Sequence, residues 1–190
     1  MLFKQTPIDG VLIIDLEKRG DDRGWFARTF CEKEFAEHGL QTHFAQTMVS
    51  VNAKRGTLRG MHYQLAPHAE LKLVRCASGA FWDVVLDLRP GSSTFGQWFG
   101  IELTAESRTA LYIPRGFAHG FITLADNTEA TYMTHGVYTP ALERGVRWND
   151  PRFAIDWPIQ PEVMADRDRN FPDFDPAWHL GDQAAEGADQ

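Results

Sequence analysis

The apolar residues of this chain come in short runs, each interrupted before a helix of ordinary length would be complete. Val11 to Ile14, Leu71 to Cys76, Ala80 to Leu88, Gly100 to Leu103, Ala110 to Ile113 and Gly120 to Leu124 are such runs. Between them stand Ser78-Gly79, Pro90-Gly91-Ser92-Ser93, Pro114-Arg115-Gly116 and Asp126-Asn127. Short strand-like segments at close spacing, parted by turn residues, fold as an antiparallel sandwich or barrel. The runs continue past the six or seven of an immunoglobulin-like domain, which favours a jelly roll. Only two segments read as helical. Glu32 to His38 has acids early, a histidine late and Gly39 as a stop, and Asp166 to Phe174 has room for one turn. The expected fold is mainly β, a jelly-roll barrel with a small helical fringe.

With 190 residues, 43% of them hydrophobic, the chain is long enough for one self-sufficient core. We expect a single domain over 1–180 and a small, acidic, disordered tail over 181–190. Two cysteines, Cys31 and Cys76, make no disulfide framework, and Cys76 reads as a small buried hydrophobe. The formal net charge is −7 and no Lys/Arg run occurs, which argues against a nucleic-acid partner. A small anionic ligand stays open, because a few arginines can hold a phosphate on an acidic protein. No stretch approaches the roughly 20 apolar residues of a membrane span. The start, Met1 to Pro7, lacks a basic segment followed by an apolar one, so the expected location is the cytoplasm.

Two segments concentrate side chains capable of acid–base and anion chemistry. One is Gly56-Thr57-Leu58-Arg59-Gly60-Met61-His62-Tyr63-Gln64, followed by Glu70 and Lys72; the other is Pro114 to Phe121, containing His119. On a strand, His62 and Gln64 face the same side. Two hairpin regions with one such histidine each suggest the two strand sets of a cupin-type jelly roll. Metal-binding cupins carry H-x-H, a glutamate and a third histidine. Here Gln64, a poor ligand, stands at the second histidine position, while His62, Glu70 and His119 leave a facial triad as an alternative reading.

The Gly56 to Gln64 segment closely resembles the G-x-L-R-G-L-H-Y-Q segment of the dTDP-4-dehydrorhamnose 3,5-epimerase family. Further matching segments are Asp22 to Phe26, Lys72 to Arg75, Asp83 to Arg89, Ser93 to Gly96, Ile113 to Phe121, Arg147 to Pro151 and Ile155 to Pro158, together with Tyr132 and Tyr138. The resemblance runs from about Gly10 to about Phe174. It implies a cupin without a catalytic metal or other cofactor. It also implies a homodimer with exchanged N-terminal strands, whose substrate is a nucleoside diphospho-4-keto-6-deoxy sugar inverted beside its C4 ketone.

The resemblance also implies roles. His62 matches the base, Asp168 the carboxylate that orients it, Tyr132 the acid on the opposite face, and Lys72 the cation beside the enolate oxygen. Arg59 and His119 match diphosphate or sugar contacts, and Gln46, Tyr138 and Glu143 match substrate-binding positions. Arg23 and Phe26 fall where the partner subunit reaches over the nucleotide, and Arg28 matches a further substrate-binding position. Each has a plainer reading: tyrosines fill barrels, and an aspartate among arginines makes a surface ion pair. Trp148 and Trp157 read as core or interface. Arg28, Met48 and Glu70 stand where the family usually has Glu, Asn and Gln. The first two fall near the expected nucleotide and sugar positions, so dTDP, CDP and GDP remain open as the carrier.

Overall fold

The computed structural model describes residues 1–181. In chain order these form β1 (Leu2–Gln5), β2 (Leu12–Asp15), β3 (Arg19–Asp21), β4 (Gly24–Phe26), α1 (Glu32–Glu37), β5 (Gln46–Asn52) and β6 (Thr57–Gln64). There follow β7 (Lys72–Ser78), β8 (Ala80–Asp87), β9 (Trp98–Thr104), β10 (Ala110–Ile113), β11 (Phe117–Thr123) and β12 (Thr128–Thr134). The chain continues with β13 (Glu143–Gly145), β14 (Val163–Met164), α2 (Asp166–Arg169) and α3 (Pro176–Leu180). The strands build two six-stranded sheets. The first runs β1-β2-β10-β7-β12-β5, and the second β13-β6-β11-β8-β9 with β14 also on β6. This is the expected mainly β jelly roll. Of the expected acidic tail over 181–190, all but Gly181 lies outside the described residues.

The long apolar run of β8 is explained by burial on both faces. Phe81 and Val85 point between the sheets, onto Val74 and Cys76 of β7 and Leu111 of β10. Val84 and Leu86 point the other way, beneath a cover of Phe153, Trp157 and Leu180 from the C-terminal stretch. Trp157 is core, as expected, and its indole N–H donates to the Trp148 carbonyl at 2.8 Å. On the outer face of the first sheet, Phe35 of α1 covers Leu73, Leu12 and Tyr112. Helix α1 ends where glycine predicted, with Gly39 at φ +70°. Helix α3 was not anticipated, although Asp175 caps it by accepting from the Ala177 N–H at 3.1 Å and Pro176 opens it.

Among the described residues, strands β3 and β4 pair only with each other, as an exposed hairpin apart from both sheets. Among the described residues no helix is long and apolar enough to cross a membrane.

Candidate active site

An irregularity in β6 decides which side chains reach the barrel interior. His62 is the cross-strand partner of His119, and Arg59 of Phe121. Three residue steps on β6 therefore oppose two on β11, a β-bulge at Gly60-Met61. Strict alternation would send Arg59 to the opposite face from His62 and Gln64. The extra residue reverses the parity, so Arg59, His62 and Gln64 all line one cavity while Leu58 and Met61 pack outward. Glycine is required here: Gly60 has φ +119°, and a Cβ would lie 2.5 Å from the Cα of Gly120.

His62 and His119 thus stand side by side in one sheet. The expectation that they mark two strand sets is corrected by their direct pairing on β6 and β11.

The cavity encloses about 350 Å³ between the sheets. The second sheet supplies Arg59, His62, His119 and Glu143; the first supplies Gln46, Met48, Lys72 and Tyr132. Glu70, Tyr138 and Arg167, from outside these strands, also line it.

Asp168, read as either a site residue or a surface ion pair, is 2% exposed. Strand β6 carries β14 on one end of its outer edge and β13 on the other. Asp168 takes the opening between them, accepting from the Gly60 N–H at 3.1 Å and bonding His62 Nε2 at 2.8 Å. Burial pushes this carboxyl up. The hydrogen bond and charge of His62, the Gly60 N–H and Arg167 together hold it below the usual carboxylate range. A carboxylate only accepts, so Nε2 of His62 carries the proton and the lone pair sits on Nδ1.

Across the cavity, burial raises the Tyr132 phenol above its ordinary pKa; the Glu70 charge adds to this and Arg59 opposes it. Lys72 Nζ is 3.1 Å from Glu70 Oε1. Arg59 is aimed by Asn52, whose Oδ1 accepts from Nε at 2.7 Å, and His119 Nε2 bonds the fully buried Asp83 at 2.7 Å. Tyr138 donates to Glu143 at 2.7 Å, and Glu143 pairs with Arg167 at 2.8 Å.

Arg167 is the main cavity residue that the sequence reading missed. Its Nη2 lies 3.2 Å from His62 Nε2 and its Nε 3.3 Å from Asp168 Oδ1. Since Nε2 directs its proton to Asp168, the first contact places a charge near the ring without a hydrogen bond. The available signal was a cation directly before Asp168. Asp83 and Asn52 were also missed as supports for His119 and Arg59.

Three expected residues are not in the cavity of a single chain. Arg23 and Phe26 belong to the exposed β3–β4 hairpin, with Phe26 71% exposed, and Arg28 contacts Glu34 at 3.3 Å. Met48 lines the cavity as the cross-strand partner of Tyr132, which puts this departure beside the phenol. The metal-triad alternative is not assembled: His62 and His119 each face an aspartate, and Glu70 faces Lys72. Among the described residues no group of three or more His, Cys, Asp or Glu side chains has metal-holding geometry.

These walls make a polar cavity inside a jelly roll, with His62 and Tyr132 on opposite sheets and Arg59, Lys72 and Arg167 supplying cations. Residues 5–176 match the family model for dTDP-4-dehydrorhamnose 3,5-epimerase, and the chain belongs to that family. It is 44% identical over 171 residues to dTDP-4-dehydrorhamnose 3,5-epimerase of Shigella flexneri, covering 90% of this chain and 94% of that one. It is 40% identical over 171 residues to a dTDP-4-dehydrorhamnose 3-epimerase of Streptomyces niveus, covering 90% and 82%. The crystal structure of dTDP-4-dehydrorhamnose 3,5-epimerase from Bacillus anthracis with TDP and PPi bound superposes with a TM-score of 0.88 at 38% identity, covering 91% and 99%.

Proposed function

We propose that this protein inverts one or both carbons flanking the C4 ketone of a nucleoside diphospho-4-keto-6-deoxy sugar. The observation that carries the reading is the placement of His62, backed by Asp168, and Tyr132 on opposite sheets of one cavity. Inversion needs a base on one face of the sugar and an acid on the other.

His62 Nδ1 takes the proton from the carbon beside the ketone. The C–H electron pair moves into the carbonyl and leaves an enolate whose oxygen is met by the Lys72 ammonium. Asp168 keeps the ring in the required tautomer and stabilises the imidazolium that forms. Tyr132 then gives its hydroxyl proton to the same carbon from the other face. Solvent takes the proton from His62 and restores that of Tyr132. Arg59, His119 and Arg167 serve the diphosphate, and Gln46, Tyr138 and Glu143 the sugar.

The working unit in this reading is a homodimer. The β3–β4 hairpin exposes Trp25 and Phe26, and edge strand β5 exposes Val49 and Val51. Exposed apolar groups on an unpaired edge call for a partner. A crossing hairpin brings Arg23, Phe26 and Arg28 of one subunit to the nucleotide of the other. A fully active monomer by light scattering would contradict this.

The test of the reaction is solvent exchange in deuterated water with dTDP-, CDP- and GDP-linked 4-keto-6-deoxy sugars. Deuterium entering at C3, C5 or both supports the reading and identifies the carrier. No exchange with any of the three, by folded protein, overturns it.

A further inference from the structure

Glu70 takes no part in the proton transfers above, yet it is a carboxylate inside the cavity. Its pair with Lys72 is enclosed, with the two side chains 15% and 9% exposed. Enclosure spares this pair the screening that makes surface ion pairs weak. Lys72 opens β7, directly opposite Thr134 of β12, and Tyr132 lies two residues earlier on that strand, opposite Val74. One short stretch of two paired strands therefore carries the ammonium and the phenol, and Glu70 is paired with the first and lines the same cavity as the second.

Building on the reading of Tyr132 as the acid, we propose that Glu70 is a positioning residue of the inversion step. It anchors the Lys72 ammonium at the cavity wall and sets a fixed negative charge beside the Tyr132 hydroxyl. An anchored ammonium is kept from moving to the substrate's diphosphate, which competes for it. A phenol beside a carboxylate keeps its proton to higher pH, the direction the Tyr132 surroundings give. The other charged or titratable groups facing this space are Arg59, His62 and Tyr63 from β6, His119 from β11, Tyr138 from the loop after β12, Glu143 from β13 and Arg167 from α2. Arg59 opposes Glu70 at the phenol.

The experiment compares pH profiles of inversion and of deuterium exchange for the wild type, Glu70→Gln and Glu70→Asp, with Tyr132→Phe as the control for the acid. In Glu70→Gln the alkaline limb of inversion should move down by roughly half to one pH unit. Exchange should lack that shift, because the enolate forms before Tyr132 acts. Glu70→Asp keeps the charge but shortens the reach, so its limb should stay near the wild-type position while kcat falls several-fold. An unmoved limb in Glu70→Gln overturns the proposal. So does a limb in Glu70→Asp displaced to lower pH, a result that stands even if the glutamine variant fails to fold. If Tyr132→Phe still inverts at the wild-type rate, the acid assignment itself is wrong and the proposal goes with it.

Discussion

His62 and His119 are direct cross-strand partners on β6 and β11, and each gives its Nε2 to a different aspartate. Asp168 comes from the C-terminal stretch, Asp83 from β8. The two rings share one cavity but are held by separate carboxylates, so they can be perturbed separately. His62 has a lone pair on the atom turned away from Asp168, the atom that takes the proton in the proposed reaction.

His62→Ala should abolish both inversion and hydrogen exchange at the ring carbons, a loss of about 10²–10⁴-fold. The side chain is only half-buried and its removal leaves the apolar layers intact, so the thermal midpoint should change little. Near-normal exchange in this variant would put the base elsewhere.

Asp168→Asn should lower exchange and inversion together, by about 10²-fold or more, because an amide does not enforce the tautomer. The residue also links stability to pH. Its folded pKa lies below the ordinary value, so its contribution is present above about pH 4 and is lost as pH falls through the depressed folded value. The asparagine variant should lose less stability on acidification than the wild type. Parallel acid-unfolding curves for the two proteins would contradict this.

Gly60→Ala should be more damaging than its size suggests. The new Cβ meets the Gly120 Cα at 2.5 Å in a backbone conformation that alanine disfavours. A destabilisation of roughly 2 kcal/mol or more is expected, read as a lower urea midpoint. If the variant folds, the displaced bulge should misplace Arg59 relative to His62, so KM should rise. Wild-type stability together with wild-type KM would remove the bulge from the account.

Much of this was legible in the sequence, and the failures have physical causes. Strands with both faces buried, such as β8, announce themselves as apolar runs. Strands β5 and β12 were absent from the apolar runs because their residues are mixed: Gln46 and Met48 of edge strand β5 and Tyr132 of β12 line a polar cavity, and Thr128 and Thr134 of β12 are buried polar residues. The placing of Arg59 with His62 depends on a bulge, and spacing alone assigns them to opposite faces. Arg167 and Asp83 act through contacts made at long sequence separation, Arg167 reaching His62 across 105 residues. Arg23, Phe26 and Arg28 lie at the surface, away from the cavity that the other candidate residues line. Motif order supplied what periodicity could not: Asp168 was singled out from a weakly patterned segment, and its burial against His62 explains why an acid stands there.

The central claim is that base and acid act from opposite walls, and Tyr132→Phe tests it most directly. The substitution keeps the ring and its packing and removes only the hydroxyl. Deuterium incorporation into recovered substrate is measured beside product formation, with His62→Ala run in parallel. Tyr132→Phe should still exchange substrate hydrogen with solvent, through return of a proton from the His62 side, while making little inverted product. Loss of exchange as complete as in His62→Ala would mean that Tyr132 is needed before the enolate forms, and would contradict the assignment of the two faces.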